Sequence, residues 1–222
     1  MTKIDPSVKA RRAILDAALP NVAFDGWTST SLKQAVKAAG LPGGAEELYF
    51  SGGPLELIDF WNAECDRIAS EELTKLDLPN MRIRDKVTAG VLARFYAIGP
   101  HEEAARRAIA RTALPDGLSL SPKILWAAAD TIWRGIGDTS TDFNYYTKRT
   151  TLSAVISTSL AAWLSDDDPQ KAKARKFLDA RIENVMQFET AKFKAKKRLE
   201  KLPDPLELLG KIRYGSKRRR RG

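Results

Sequence analysis

The chain has one cysteine and one histidine in 222 residues. Cys65 has no internal partner, so no disulfide can staple the fold and the composition suits a reducing compartment. With His101 as the single imidazole, the usual zinc ligand sets and any histidine-bearing di-iron carboxylate site within one chain are excluded. His101 follows Pro100 and precedes Glu102-Glu103, which places it in an exposed first helical turn rather than in catalysis. Nucleophile elbow, phosphate-binding loop and dinucleotide fingerprint are all missing, and Gly43-Gly44 and Gly52-Gly53 read as turns. Asp166-Asp167-Asp168 is no metal site, because consecutive side chains point in different directions and helix capping accounts for them. Neither enzyme chemistry nor a metal or cofactor is expected. No apolar run approaches a membrane span, and Met1 to Lys9 lacks the apolar core of a signal peptide, which reads as a cytoplasmic start.

Charge is unevenly distributed. The formal net charge is +9, yet residues 171–222 carry 18 basic and 6 acidic residues, leaving 19 basic against 22 acidic in the first 170. The body is slightly acidic, and whatever the positive charge attracts is attracted by the C-terminal end.

Alternating apolar and polar runs are also lacking. Apolar residues recur at three and four, so the chain is expected to be all-α, with about nine helices. Helix one is expected over about Ser7 to Asp25, with Ile14, Ala18, Val22 and Phe24 inward and Pro20 kinking it or ending its regular part. A Ser/Thr cluster at Thr28 to Ser31 starts helix two; Gly40 to Gly44 breaks into a short helix three, Ala45 to Phe50. This resembles a helix-turn-helix. Base reading needs donors and cations on the recognition helix, whereas this one offers Glu46 and Glu47 and no Lys or Arg, so specific DNA binding is not expected. Helices four to nine follow over Leu55–Leu76, Ile83–Ile98, His101–Leu114, Pro122–Ile136, Asp142–Leu164 and from Asp166 into the Lys-rich stretch Lys192 to Lys201.

Between helices seven and eight lies Gly137-Asp138-Thr139-Ser140-Thr141-Asp142-Phe143-Asn144-Tyr145-Tyr146-Thr147-Lys148-Arg149. Gly137 suits a C′ position, and Thr139, Ser140, Thr141 or Asp142 could cap the next helix. Consecutive helical residues point about 100° apart, so at least one of Tyr145 and Tyr146 faces away from the core. Capping with one buried tyrosine, and an exposed aromatic interface anchor, are both compatible with this pattern. In helix seven, Ala127, Ala128, Ala129, Gly135 and Gly137 flank Trp126 and Trp133; small residues beside tryptophan can leave space between helices, though periodicity alone favours reading these aromatics as core.

The stretch 138–149 resembles the signature of the lipid-binding accessory proteins of ubiquinone biosynthesis. Ile14 to Trp27 and Phe50-Ser51-Gly52-Gly53-Pro54-Leu55-Glu56-Leu57-Ile58 agree with it, and the similarity runs from about Ala13 to about Ala191. One position departs, since related chains usually carry Trp where this one has Tyr145. The resemblance implies a TetR-repressor-like helical bundle with a degenerate helix-turn-helix, no catalysis, and an apolar cavity for an isoprenoid quinone or its precursor. It also implies a di-iron demethoxyubiquinone hydroxylase as partner and, by analogy, a homodimer. The expected division is 1–52 as helix-turn-helix-like part, 53–198 as lipid-binding body and 199–222 as membrane-binding tail.

On that basis the expected cavity lining from helices four and five is Phe60, Trp61, Leu92, Phe95 and Tyr96. Helices seven and eight would add Leu125, Trp126, Trp133, Ile156 and Leu160. The partner surface is expected at Asp142, Asn144, Tyr145, Tyr146 and Arg149. In the tail, Asp204, Pro205 and Glu207 form a capping-box-like start to an amphipathic helix. Its apolar face holds Leu206, Leu208, Leu209 and Ile212; Lys211, Arg213, Lys217 and Arg218 to Arg221 supply cations for an anionic membrane. The expected location is cytoplasmic, peripheral to a bacterial inner membrane. A ligand-responsive repressor on the same fold, or sequence-independent nucleic-acid binding by the tail, are the alternative readings.

Overall fold

The computed structural model describes residues 5–141 and 143–199, with side chains described through Gln187. Asp142 and the amphipathic tail expected over 204–213 lie outside the described residues. Among those described, nine α-helices and one short 3-10 turn are present and strands are absent.

The helices are α1 (Pro6–Asp25), α2 (Ser29–Ala38), α3 (Ala45–Tyr49), α4 (Gly53–Thr74), α5 (Ile83–Tyr96), α6 (Glu102–Thr112), α7 (Leu120–Gly135), α8 (Phe143–Leu164) and α9 (Ala172–Leu199). Local chemistry sets their ends. Asp5 accepts from the Ser7 N–H at 2.8 Å with Pro6 in the first turn of α1, and Thr28 accepts from the Ser31 N–H at 3.1 Å. Gly137 (φ +86°) closes α7 as expected: its N–H reaches the Arg134 carbonyl at 3.0 Å and the Asp138 N–H reaches the Trp133 carbonyl at 2.9 Å, a Schellman arrangement. The acidic run before α9 caps it, with Asp166 accepting from the Ala174 N–H at 2.9 Å.

Pro20 lies inside α1, which runs to Asp25 as expected, so one backbone hydrogen bond is given up within the helix. Two local expectations are corrected. Phe24, expected inward, is 82% exposed, because Val22 already takes the core-facing position at that end of α1. His101 is the half-buried N-cap residue of α6 rather than an exposed first-turn residue, and burial pulls its imidazole below its ordinary pKa.

The described residues through Ile182 form one compact unit. Within it α1–α3 make a head in which α1 packs on α2 and on α6 of the body; α4 packs on α5 and α7, and α7 on α8. The head is braced to α4 by charge and by aromatic faces. Arg12 forks onto Glu64 at 2.9 and 3.0 Å; Arg11 reaches Glu56 at 2.8 Å with its guanidinium over the Phe50 and Phe60 rings. Trp27 donates to the Ala104 carbonyl at 3.0 Å and stacks on Trp61 with ring centroids 5.4 Å apart. The five-residue α3 occupies the place of a reading helix and bears Glu46 and Glu47 without Lys or Arg.

The small residues of α7 act differently from the expectation that they leave space. They bring helices together. Ala128 and Ala129 are fully buried, and a Cβ on Gly90 of α5 would sit 2.7 Å from Ile132 Cγ2 of α7. A Cβ on Gly135 would meet Leu73 Cδ1 of α4 at 2.9 Å. Free space is left instead where α4 faces α6, the start of α7 and α8.

Candidate functional site

That space is a cleft of about 240 Å³ bounded by α4, α5, α6, α7 and α8. Its apolar wall comes from Ile58 and Trp61 of α4, Ala105, Ala108 and Ile109 of α6, Ile124 and Leu125 of α7, and Leu160 and Ala161 of α8, with Ile98 just beyond α5. Ile109 is 48% exposed and marks where the cleft meets solvent. The remaining wall is polar: Asn62, Cys65, Arg94, Thr112, Ser121 and Ser157. Thr112 and Ser121 share a hydrogen bond at 2.8 Å. Burial pushes the Cys65 thiol up to about 11, so it stays protonated and unreactive near neutral pH.

Of the residues expected to line a cavity, Trp61, Leu125 and Leu160 border this cleft. The others stand elsewhere. Phe95 and Ile156 are fully buried, Phe95 against Trp163 with centroids 5.5 Å apart. Tyr96 is half exposed, edge-on to Trp163, and Phe60 packs edge-on to Phe50. Leu92 is half buried in α5. Trp126 and Trp133 belong to the α7–α8 corner. Helical periodicity marks apolar residues but does not tell a core face from a cleft face, which is why these were grouped together. The polar wall was missed in sequence; its signals were Arg94 inside the apolar run Val91 to Phe95, and Asn62 and Asp66 one turn apart on α4.

The α7–α8 corner holds the second feature. Trp126, Tyr145 and Tyr146 form an aromatic shelf, with centroids 6.3 Å (Trp126–Tyr145), 6.1 Å (Trp126–Tyr146) and 5.1 Å (Tyr145–Tyr146) apart. Tyr146 is 61% exposed and Phe143 beside it 75% exposed, whereas the Tyr145 hydroxyl turns inward to Asp130 at 3.2 Å. Asn144 is exposed on the same turn. Arg149 corrects the expectation for it: at 1% exposure it offers nothing to a partner. Its guanidinium lies 3.5 Å from the Tyr145 ring centroid, with Nε on Asp130 at 2.6 Å and a terminal nitrogen on Asp138 at 3.2 Å. Asp138 also accepts from Lys148 at 2.6 Å and from Ser140 at 2.8 Å. Burial alone would raise both carboxyls, but these cations and hydrogen bonds outweigh it and hold Asp130 and Asp138 below the usual carboxylate range. Arg149 thus fixes the platform on which Tyr146 is presented. Sequence could place Arg149 one turn past Tyr145, not the two aspartates that draw it inside.

A helical body with an internal cleft, preceded by a helix-turn-helix-like head without a basic reading helix, is a TetR-like fold. In agreement, the TetR transcriptional regulator from Nitrosomonas europaea ATCC 19718 superposes with a TM-score of 0.67 at 16% identity, over 81% of this chain and 99% of that one. Residues 118–189, which hold the shelf, match the family model described as COQ9. The chain is 31% identical over 179 residues to the ubiquinone biosynthesis protein COQ9, mitochondrial, of Rattus norvegicus, covering 78% of this chain and 57% of that protein. With the Homo sapiens protein of the same description the identity is 31% over 180 residues, 78% and 56% of the two chains. The chain is a relative of the COQ9 proteins and spans less than two thirds of their length. Among the described residues no helix is long and apolar enough to cross a membrane.

Proposed function

We propose that this chain serves ubiquinone biosynthesis as a non-catalytic accessory protein that binds a polyprenylated quinone intermediate and presents it to a di-iron hydroxylase. The observation that carries this reading is the cleft walled by Ile58, Trp61, Ile98, Leu125 and Leu160 in a chain related to proteins named for that pathway. Each five-carbon isoprene moved from water into such a wall gains about 3–4 kcal/mol at roughly 0.8 kcal/mol per methylene. A bilayer offers the same gain, so exchange between membrane and cleft is nearly balanced. That balance suits a carrier which must release what it takes up. The exposed Tyr146 and Phe143 on the shelf suit the docking of a partner protein, since exposed aromatics on a rigid base make interface anchors.

The test is organic extraction of the purified full-length chain followed by mass spectrometry. A polyprenyl quinone or its precursor in the extract is the expected result. An extract without isoprenoid lipid, together with failure to take up added quinone, refutes the reading.

A further inference from the structure

The turn between α6 and α7 carries an apolar surface that neither the cleft nor the α7–α8 shelf uses. Leu114 and Leu118 are 50% and 59% exposed, with Ala113 and Pro115 also exposed beside them. Ile109, where the cleft meets solvent, lies at the end of α6 that leads into this turn. The turn is held in one shape. The N–H groups of Leu114, Gly117 and Leu120 donate to the carbonyls of Arg111, Leu114 and Gly117 at 3.3, 2.8 and 2.9 Å. Gly117 packs so tightly that a Cβ there would sit 2.8 Å from Thr112 Cα. Across the base, the Ser121 hydroxyl donates to Thr112 at 2.8 Å, and Arg111 forks onto Asp116 at 2.8 and 2.7 Å. A rigid tip therefore presents the two leucines to solvent.

Charge decides what such a tip can meet. Asp116 is the single carboxylate between Ala104 and Lys123, and the Arg111 fork cancels it. Lys123 is matched by Asp59 at 2.6 Å and Arg107 by Glu103 at 3.5 Å, so the rim offers no strong field to steer a charged partner. The large exposed side chains of the tip are aliphatic and lack hydrogen-bonding ends, unlike Tyr146 on the shelf, whereas protein-docking patches favour aromatics and arginine. An uncharged aliphatic tip beside the open edge of an apolar cleft matches the interface of a bilayer. We propose that the α6–α7 turn wedges Leu114 and Leu118 between lipid headgroups, and so sets the mouth at Ile109 against the membrane. The contact is apolar and indifferent to lipid charge, which separates it from the attraction expected of the basic C-terminal end.

This inference rests on the lipid-carrying reading above for its use, but its test needs only vesicles without quinone, so each can fail alone. Cys65 is buried and its thiol protonated, so the full-length Ser119→Cys variant takes an environment-sensitive fluorophore at the exposed tip alone. Emission is expected to rise with vesicles of pure phosphatidylcholine and to stay raised in high salt. Each methylene withdrawn from water is worth roughly fourfold in partitioning, so Leu114→Ser with Leu118→Ser is expected to weaken flotation with those vesicles by at least about tenfold. Both leucines are exposed, so the melting curve should not move; if it does, the labelled single variant decides alone. No rise in emission with neutral vesicles, or a rise confined to anionic vesicles and removed by salt, overturns the inference. Unchanged flotation of the folded double variant overturns it too, as does emission that climbs with protein concentration alone, which would seat the tip on a second copy. A chain that carries no isoprenoid lipid while its tip still enters neutral vesicles removes the lipid-carrying reading and leaves this contact standing.

Discussion

Replacing Arg149 with Met tests whether the α7–α8 corner is built from the inside. The substitution keeps most of the apolar volume and deletes the guanidinium that joins Asp130, at 2.6 Å, to Asp138, at 3.2 Å, beneath the Tyr145 ring. Removing one partner of a buried pair typically costs about 3–5 kcal/mol because the other charge is stranded. Here neither aspartate is wholly stranded: Asp138 keeps Lys148 at 2.6 Å and Asp130 keeps Arg134 at 2.8 Å. The expected loss is therefore smaller, about 2–4 kcal/mol, including roughly 0.5–2 kcal/mol for the cation over the ring. For a chain of this size that lowers the melting temperature by roughly 5–15 °C. Acid should shrink the gap between variant and wild type. Both carboxyls titrate below their usual range in the folded protein, so their contribution is present above about pH 4 and is lost as pH falls through the depressed folded values. Melts followed by far-ultraviolet circular dichroism at about pH 7 and about pH 3 measure both effects. A loss under about 1 kcal/mol at neutral pH, or one that does not shrink in acid, refutes the assignment of Arg149 as the inner support.

Two further outcomes follow from packing and exposure. Tyr146→Lys, at a position 61% exposed, should leave the melting curve within about 0.5 kcal/mol of wild type and abolish co-purification with the hydroxylase, an interface tyrosine typically being worth about 2 kcal/mol or more; retained binding would remove the shelf from the docking surface. Gly90→Ala should destabilise by about 1–3 kcal/mol in thermal melts, since its Cβ meets Ile132 Cγ2 at 2.7 Å in the core, while Gly135→Ala, which meets only the movable end of Leu73, should cost less than half as much.

Much of the architecture could be read from the sequence because it is written in local chemistry. The run of helices, the Gly137 stop after α7 and the acidic cap before α9 depend on neighbours within a few residues. What escaped depends on partners far along the chain. Asp66 and Arg94 are 28 residues apart, and Arg149 lies 19 from Asp130; spacing of that kind sets no phase on a single helix. Phe24 shows the opposite failure. It fits an apolar face in sequence yet stands in solvent, because a helical face covers only as much core as its neighbours supply. Ala128 and Ala129 were legible as small, but smallness permits either a void or close contact, and the facing Gly90 decides for contact.

The stack of Trp27 on Trp61 ties the head to the cleft, for Trp61 is itself part of the cleft wall. Arg11, Arg12 and Trp27 bolt the head to α4 and α6 at three points. The head is therefore a buttress: cutting away α1 to α3 would lay bare Trp61, Phe60 and Ala104 along a seam made for contact.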